Sequence, residues 1–291
     1  MFVLAARQYV AIKDYSSLSY SRVERRRLGP FQRWLAVALF TICVIPQVGV
    51  VLAAVGRGWS LTPFPVHYTL EFFRQVSIET PKFIINSFLY SGLALLLCLV
   101  IGVPMAWIMA RTRAPGRRAM DALTTLILAI PGTAIGIAYI RAFNVPLPLT
   151  DTALTSMWII LPLVLAVRRL PYTVRGSYAS LLVVHPSMEE AAANVGAGRL
   201  RTFKDITLPL VWKGILVGGL FSFIMSIQEA SATIFLTLGG WEMIPFGIFT
   251  FYIAGSQSQA AALGVILIVL CAASLYIVNR IAGTRVGGLF G

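Results

Sequence analysis

Acidic residues are scarce in this chain, 11 in 291 residues, and two of them sit where an acid has consequences. Glu229 lies inside the apolar run 212–236, beside Gln228, Ser231 and Thr233. A run of that length can cross a bilayer. An ionised side chain at such depth costs roughly 2.5–3.5 kcal/mol on insertion scales, so it must face a cavity, a cation or a hydrogen-bond donor. The chemistry available to it is contact with a passing solute, or a hydrogen bond that ties helices together; the residues alone support both. Tyr139, near the end of another apolar run, could border the same path, and Arg141 could equally snorkel to an interface. Glu190 stands instead in a polar stretch. It follows Ser187 by three residues, the spacing of a capping box that starts a helix.

Catalytic spacing is missing. No GxxxxGK[ST] is present to cradle nucleotide phosphates. HExxH, GxSxG and paired aspartates in the apolar runs are also missing, so an intramembrane enzyme is not supported. Cys43, Cys98 and Cys271 each lie within an apolar run without a CxxC or Cys/His cluster, which reads as packing. His67 and His185 are solitary. The chain is therefore expected to be no enzyme, and to hold no cofactor or metal of its own.

The elements that must position these residues follow from composition. Apolar residues make up 58% and charged residues 12%, with a mean hydropathy of +0.81. Soluble domains run near about 45–50% and about 25%, so a soluble enzyme is excluded, and disorder with it. Six runs could span a membrane: 34–55, 84–110, 119–143, 152–170, 212–236 and 260–280. They are continuously apolar rather than alternating, which excludes a β-barrel. The expected fold is an all-α membrane protein of six transmembrane helices.

Charge supplies the orientation. Of 24 Lys and Arg, twenty fall before the first run, in the hairpin after the second, between Arg168 and Lys213, or after the sixth. Only Arg57, Arg74, Lys82 and Arg141 fall on the opposite side. That is a strong positive-inside bias, which puts the N and C termini in the cytoplasm. The net charge of +13 is then an orientation signal. A nucleic-acid role is not expected, because no aromatic-basic recognition module accompanies it. The organisation reads as a basic cytoplasmic segment at 1–33, a membrane domain at 34–280 and a cytoplasmic tail at 281–291.

The longest cytoplasmic segment has a clear local grammar. Ser187 is expected to cap a short helix rich in Ala191, Ala192 and Ala193. Gly196 is placed to end it in a left-handed conformation. A second short helix should run from about Arg199 to Ile206, with Leu208-Pro209 breaking it before the fifth run.

Glu190-Ala191-Ala192, then Gly196, Ile206 and Leu208-Pro209, resemble the EAA loop of binding-protein-dependent ABC importer permeases, with a spacing of three, nine and one residues between the fixed positions. Pro131-Gly132-Thr133, Arg168-Arg169-Leu170-Pro171-Tyr172 and Gln228-Glu229-Ala230-Ser231-Ala232-Thr233 resemble the ferric-iron branch of the type I permeases, which overlaps with the 2-aminoethylphosphonate and thiamine branches. The resemblance covers residues 34–280. It implies a type I ABC importer permease fold in the bacterial inner membrane, with loop 186–209 carrying a coupling helix that docks on an ABC ATPase. Glu190 would meet polar groups of that ATPase, Ala191 and Ala192 would allow close approach, and Gly196 would supply the turn. ATP would be bound by the ATPase, not here. The implied partners are ATPase subunits, a second permease subunit, a periplasmic or lipid-anchored substrate-binding protein and membrane lipids. Gln228, Glu229, Ser231, Thr233 and Tyr139 would border the translocation path. Ferric iron is the expected cargo, with 2-aminoethylphosphonate, thiamine or a polyamine as alternatives. Residues 1–30 resemble the connector of double-length ferric permeases, which would make a related first half the partner; an ordinary basic segment on a homodimer is the other reading.

Overall fold

The structure is a computed structural model that describes residues 29–59, 63–148 and 151–282. The expectations placed on residues 1–28 and 283–291 lie outside the described residues. The chain divides into two compact units, 1–47 and 48–291. Helix α1, Pro30–Val55, begins in the first and ends in the second. Within the first unit its apolar side chains, among them Trp34, Phe40 and Ile42, are exposed.

In the second unit a two-residue antiparallel pair, β1 Gly56–Arg57 and β2 His67–Tyr68, leads into α2, Glu71–Arg74, and a π-turn, Gln75–Glu79. The long helices follow. Helix α3 is Lys82–Arg111, and α4, Arg117–Ala129, and α5, Gly132–Phe143, come after it. Next are α6, Ile160–Val183, and α7, Ser187–Asn194. Helix α8, Arg199–Thr202, passes through the π-turn Phe203–Thr207 into α9, Leu208–Ile227. Helix α10, Thr233–Leu236, α11, Ile244–Ile253, and α12, Gln257–Ala282, complete the unit.

Among the described residues four helices are long and apolar enough to cross a membrane: Pro30–Val55, Lys82–Arg111, Leu200–Ile227 and Gln257–Ile281. The pair α4 and α5 makes a fifth if counted as one span, but it is bent by 108°. The sequence suggested one continuous run, 119–143. The chain breaks it at Ile130-Pro131, both extended in ψ, because proline offers no N–H to continue the helix and disfavours helical geometry in the residue before it.

The fourth run differs most from expectation. Its helix starts at Ile160 rather than near 152, and continues to Val183 through Arg168, Arg169 and Pro171. The arginine pair looked like a cytoplasmic boundary; it lies within the helix, at side-chain exposures of 13% each. Removing those two from the twenty inner basic residues leaves eighteen against four, so the charge bias keeps its sign.

The core is built around α6. Ile160, Leu161, Val164 and Leu165 are fully buried, with Tyr90, Ala94 and Cys98 of α3 and Leu236 of α10. Toward the other end Leu181 and Val184 pack with Ala106 of α3 and with Val211 and Ile215 of α9. Small residues let the backbones approach, as membrane helices require. A Cβ at Gly176 would lie 2.7 Å from the Cα of Gly218, so α6 and α9 touch backbone to backbone. Hydroxyls bind across the same seam: Thr173 and Ser222 are 2.8 Å apart, and Ser222 Oγ donates to the Arg169 carbonyl at 2.8 Å.

Candidate functional site

Two loci carry the chemistry, and each begins at an interruption of a helix. The first is the polar connection between α6 and α9. Ser187 does not cap α7. Its hydroxyl pairs with His185 Nδ1 at 2.8 Å, and the helix begins with the N–H groups of Glu189 and Glu190 on the Pro186 carbonyl. The capping box therefore does not form, because the neighbouring imidazole captures the serine first. Glu190 and Ala191 are exposed, and Ala192 is buried at 6%.

Gly196 adopts φ +83°. Its N–H donates to Ala193 O and the Ala197 N–H donates to Ala192 O, both at 3.0 Å, the paired closure that satisfies the last carbonyls of a helix. Past it, α8 and the π-turn run directly into α9. Leu208-Pro209 does not break the chain: Pro209 sits in the first turn of α9, where a missing N–H costs a helix least, and the preceding π-turn already interrupts the regular ladder. Ile206 and Leu208 are half-buried and Pro209 is exposed.

Sequence reasoning missed three residues of this locus, Arg111, Glu189 and Thr207. Arg111, the last residue of α3, donates from Nε to Glu189 Oε1 at 3.0 Å and from a terminal nitrogen to Val184 O at 2.7 Å. The same Glu189 oxygen accepts from Thr207 Oγ1 at 3.0 Å. The doubled acid, Glu189-Glu190, was the available signal; its partner lies 78 residues earlier in the chain.

The second locus is Glu229, in the gap between α9 and α10 and 4% exposed. Its carboxylate pairs with Arg168 through one oxygen and with Arg169 through the other. Ser231 Oγ donates to it at 2.6 Å and the Ala232 N–H at 3.2 Å, while Arg168 also donates to Ser231 Oγ at 3.0 Å. A second tie comes from Thr233 Oγ1, which donates to the Glu229 carbonyl at 2.8 Å. Gly132, at the bend between α4 and α5, lies against Ser231 and the Arg168 guanidinium, with no room for a Cβ. Three interruptions thus meet here: the bend at Pro131-Gly132, the charged middle of α6 and the gap after α9. The group carries one carboxylate against two guanidiniums, an excess of one positive charge.

Glu229, Ser231 and Thr233 are brought together as their spacing suggested. Gln228 is exposed and turns to Met225 Sδ at 3.5 Å, and Tyr139 packs with Phe143 at a ring separation of 5.2 Å; neither joins the group.

Comparison with known proteins places this geometry. The profile of the binding-protein-dependent transport system inner membrane component family matches residues 102–288. The chain is 30% identical over 222 residues to the ferric transport system permease protein FbpB of Actinobacillus pleuropneumoniae, covering 76% of this chain but 32% of that protein. The chain thus spans about a third of the length of that ferric relative. It is 33% identical over 211 residues to the molybdenum transport system permease protein ModB of Escherichia coli, covering 68% of this chain and 92% of that protein. Among solved structures, a bacterial ABC transporter involved in import of the acidic polysaccharide alginate matches with a TM-score of 0.61 at 16% identity, over 86% of this chain and 94% of that one. The MetNI methionine ABC transporter matches at 0.57 and 17% identity, over 70% and 96%. The fold is that of the type I importer permeases, and the chain belongs to the binding-protein-dependent transport system inner membrane components, a family of non-enzymatic permeases of the bacterial inner membrane.

Proposed function

We propose that this chain is the permease subunit of an ATP-driven importer of ferric iron, with loop 186–209 docking on a separate ATPase. One observation carries the reading: α7 presents Glu190 and Ala191 to solvent while its remaining end is closed by the Gly196 turn and its base is tied to the ends of α3, α6 and α9. An exposed acid beside alanines permits close approach of a partner bearing polar or cationic groups. Ile206 and Leu208, half-buried, would anchor the far side of the loop, and Pro209 would open α9 there. ATP-driven closure of two ATPase subunits would move α7, and through it α3, α6 and α9. Two permease copies, identical or related, would enclose the path, and a separate binding protein would deliver cargo. Gln228, Tyr139 and the Glu229–Ser231–Thr233 group would border that path.

The cargo assignment leans on the ferric relative. A second reading, an oxyanion cargo, is favoured by the two guanidiniums around a single carboxylate at Glu229, and one relative is a molybdenum permease. The deciding experiment is ATP-dependent uptake into vesicles carrying the assembled importer, with radioactive ferric ion and molybdate offered separately. The expected result is ferric uptake that disappears in Glu190→Ala. Molybdate uptake alone would select the oxyanion reading, and ferric uptake that persists without any ATPase would overturn the proposal.

A further inference from the structure

The polar loop rests on the membrane helices through remarkably little apolar packing. Of the eight residues of α7 only Ala192 is buried. Beneath the loop lies a cavity of about 380 Å³, bordered by Trp107, Arg111, Glu189, Ala197, Phe203 and Thr207. The polar contacts at its edge centre on Arg111 and Glu189. Arg111 is 9% and Glu189 21% exposed at the side chain, so both charges are partly withdrawn from water. A partly buried, hydrogen-bonded pair of this kind is lost at greater cost than an exposed one, because removing either partner leaves the other unpaired.

The connectivity matters more than the strength. Arg111 ends α3; Val184, whose carbonyl it binds, follows α6; Glu189 lies in the first turn of α7; and Thr207 immediately precedes α9. Arg111 therefore ties α3 to the foot at Val184 and to α7, and Glu189 carries the tie on to the other foot at Thr207. The foot at Thr207 belongs to the π-turn Phe203–Thr207, and single π-turns inside helices are frequent at functional sites.

We propose that Arg111 and Glu189 form the clamp through which displacement of the loop reaches the membrane helices. This rests on the docking role given to the loop above. Glu190 faces the partner, and Glu189, its neighbour, faces the helices; adjacent acids divide the two tasks. Arg111 is a positioning residue: its bonds run to Glu189 and to the Val184 carbonyl, and it acts by making α3, α6, α7 and α9 move as one body. Without it the loop swings over the cavity, and work done on α7 is not passed on.

The test uses the full chain in lipid nanodiscs, with Cys43, Cys98 and Cys271 replaced and spin labels at Val195→Cys and Leu96→Cys, positions exposed at 85% and 58%. The unaltered clamp should give one narrow distance distribution. Arg111→Ala and Glu189→Ala should each broaden it by about twofold, and the double variant should be no broader than either single, as expected for two ends of one interaction. Thr207→Val should broaden it less, and Arg111→Lys should recover part of the order. Arg113→Ala, in the neighbouring exposed hairpin, serves as the control and should leave it unchanged. In vesicles with the whole importer, Arg111→Ala should lower ferric ion carried per ATP hydrolysed by about 10-fold while hydrolysis continues. Unchanged distributions in both single variants, or purely additive broadening in the double, overturn the clamp. The distance measurement needs neither ATPase nor cargo, so it can fail while the docking role stands, and the docking role fails separately if Glu190→Ala imports normally.

Discussion

Glu229 shows how a costly charge is kept in an apolar setting. Two guanidiniums, a hydroxyl and a backbone N–H surround it, and the group welds the gap after α9 to the middle of α6. Removing one member of a buried ion group leaves the rest uncompensated, a loss of about 3–5 kcal/mol. Glu229→Ala should therefore lower the thermal unfolding temperature of the detergent-solubilised chain markedly. Glu229→Gln should lower it less, since an amide oxygen still accepts from Ser231 and Ala232. Equal stability of Glu229→Ala and the parent would show that the arginines are balanced by something else. The sequence made the acid conspicuous. It hid the partners, because Arg168 and Arg169 lie about 60 residues earlier and imitate the basic boundary of a span when read along the chain.

At the scale of elements, the Gly196 turn was legible because it is a property of one residue. A left-handed backbone after an alanine-rich helix calls for glycine, and φ is +83° there. Nothing lies within 4 Å of where a Cβ would be placed, so a substitution acts through the backbone alone. Gly196→Ala should cost roughly 1–2 kcal/mol locally. Hydrogen exchange of the α7 amides should accelerate by about 10-fold, the equivalent of ~1.4 kcal/mol in the opening equilibrium, with Gly196→Asn less affected. Unaltered exchange in Gly196→Ala would mean that the turn does not hold α7. The capping box was equally legible and did not form, because motif spacing says nothing about a histidine two residues earlier that reaches the serine first. The bend between α4 and α5 was signalled by Pro131-Gly132; its sharpness follows from Gly132 having to lie against Ser231 and Arg168, a contact no local pattern contains.

For the whole molecule, hydropathy identified α1, α3, the body of α9 and α12, since a long apolar helix needs no tertiary information to be recognised. It underestimated α6, whose three arginines are paired with acids from elsewhere in the chain, Arg168 and Arg169 with Glu229 and Arg175 with Asp121 at 2.8 Å. Composition of one segment cannot report charges cancelled by another. The proposed topology has a direct check. In whole spheroplasts a membrane-impermeant maleimide should label Leu238→Cys in the α10–α11 connection and spare Val195→Cys in the loop, with native cysteines replaced; lysis should expose Val195→Cys. The reverse pattern would invert the orientation drawn from the eighteen-to-four charge bias.

The contact between Gly176 and Gly218 has a bearing on permeability. Where two helices meet backbone to backbone there is no width for a file of water molecules, and the flanking Thr173 and Ser222 hydroxyls are bonded to each other and to the Arg169 carbonyl. The α6–α9 seam is therefore a seal. Water cannot thread between α6 and α9 at that contact, so a solute path through this chain would have to follow other faces of the two helices.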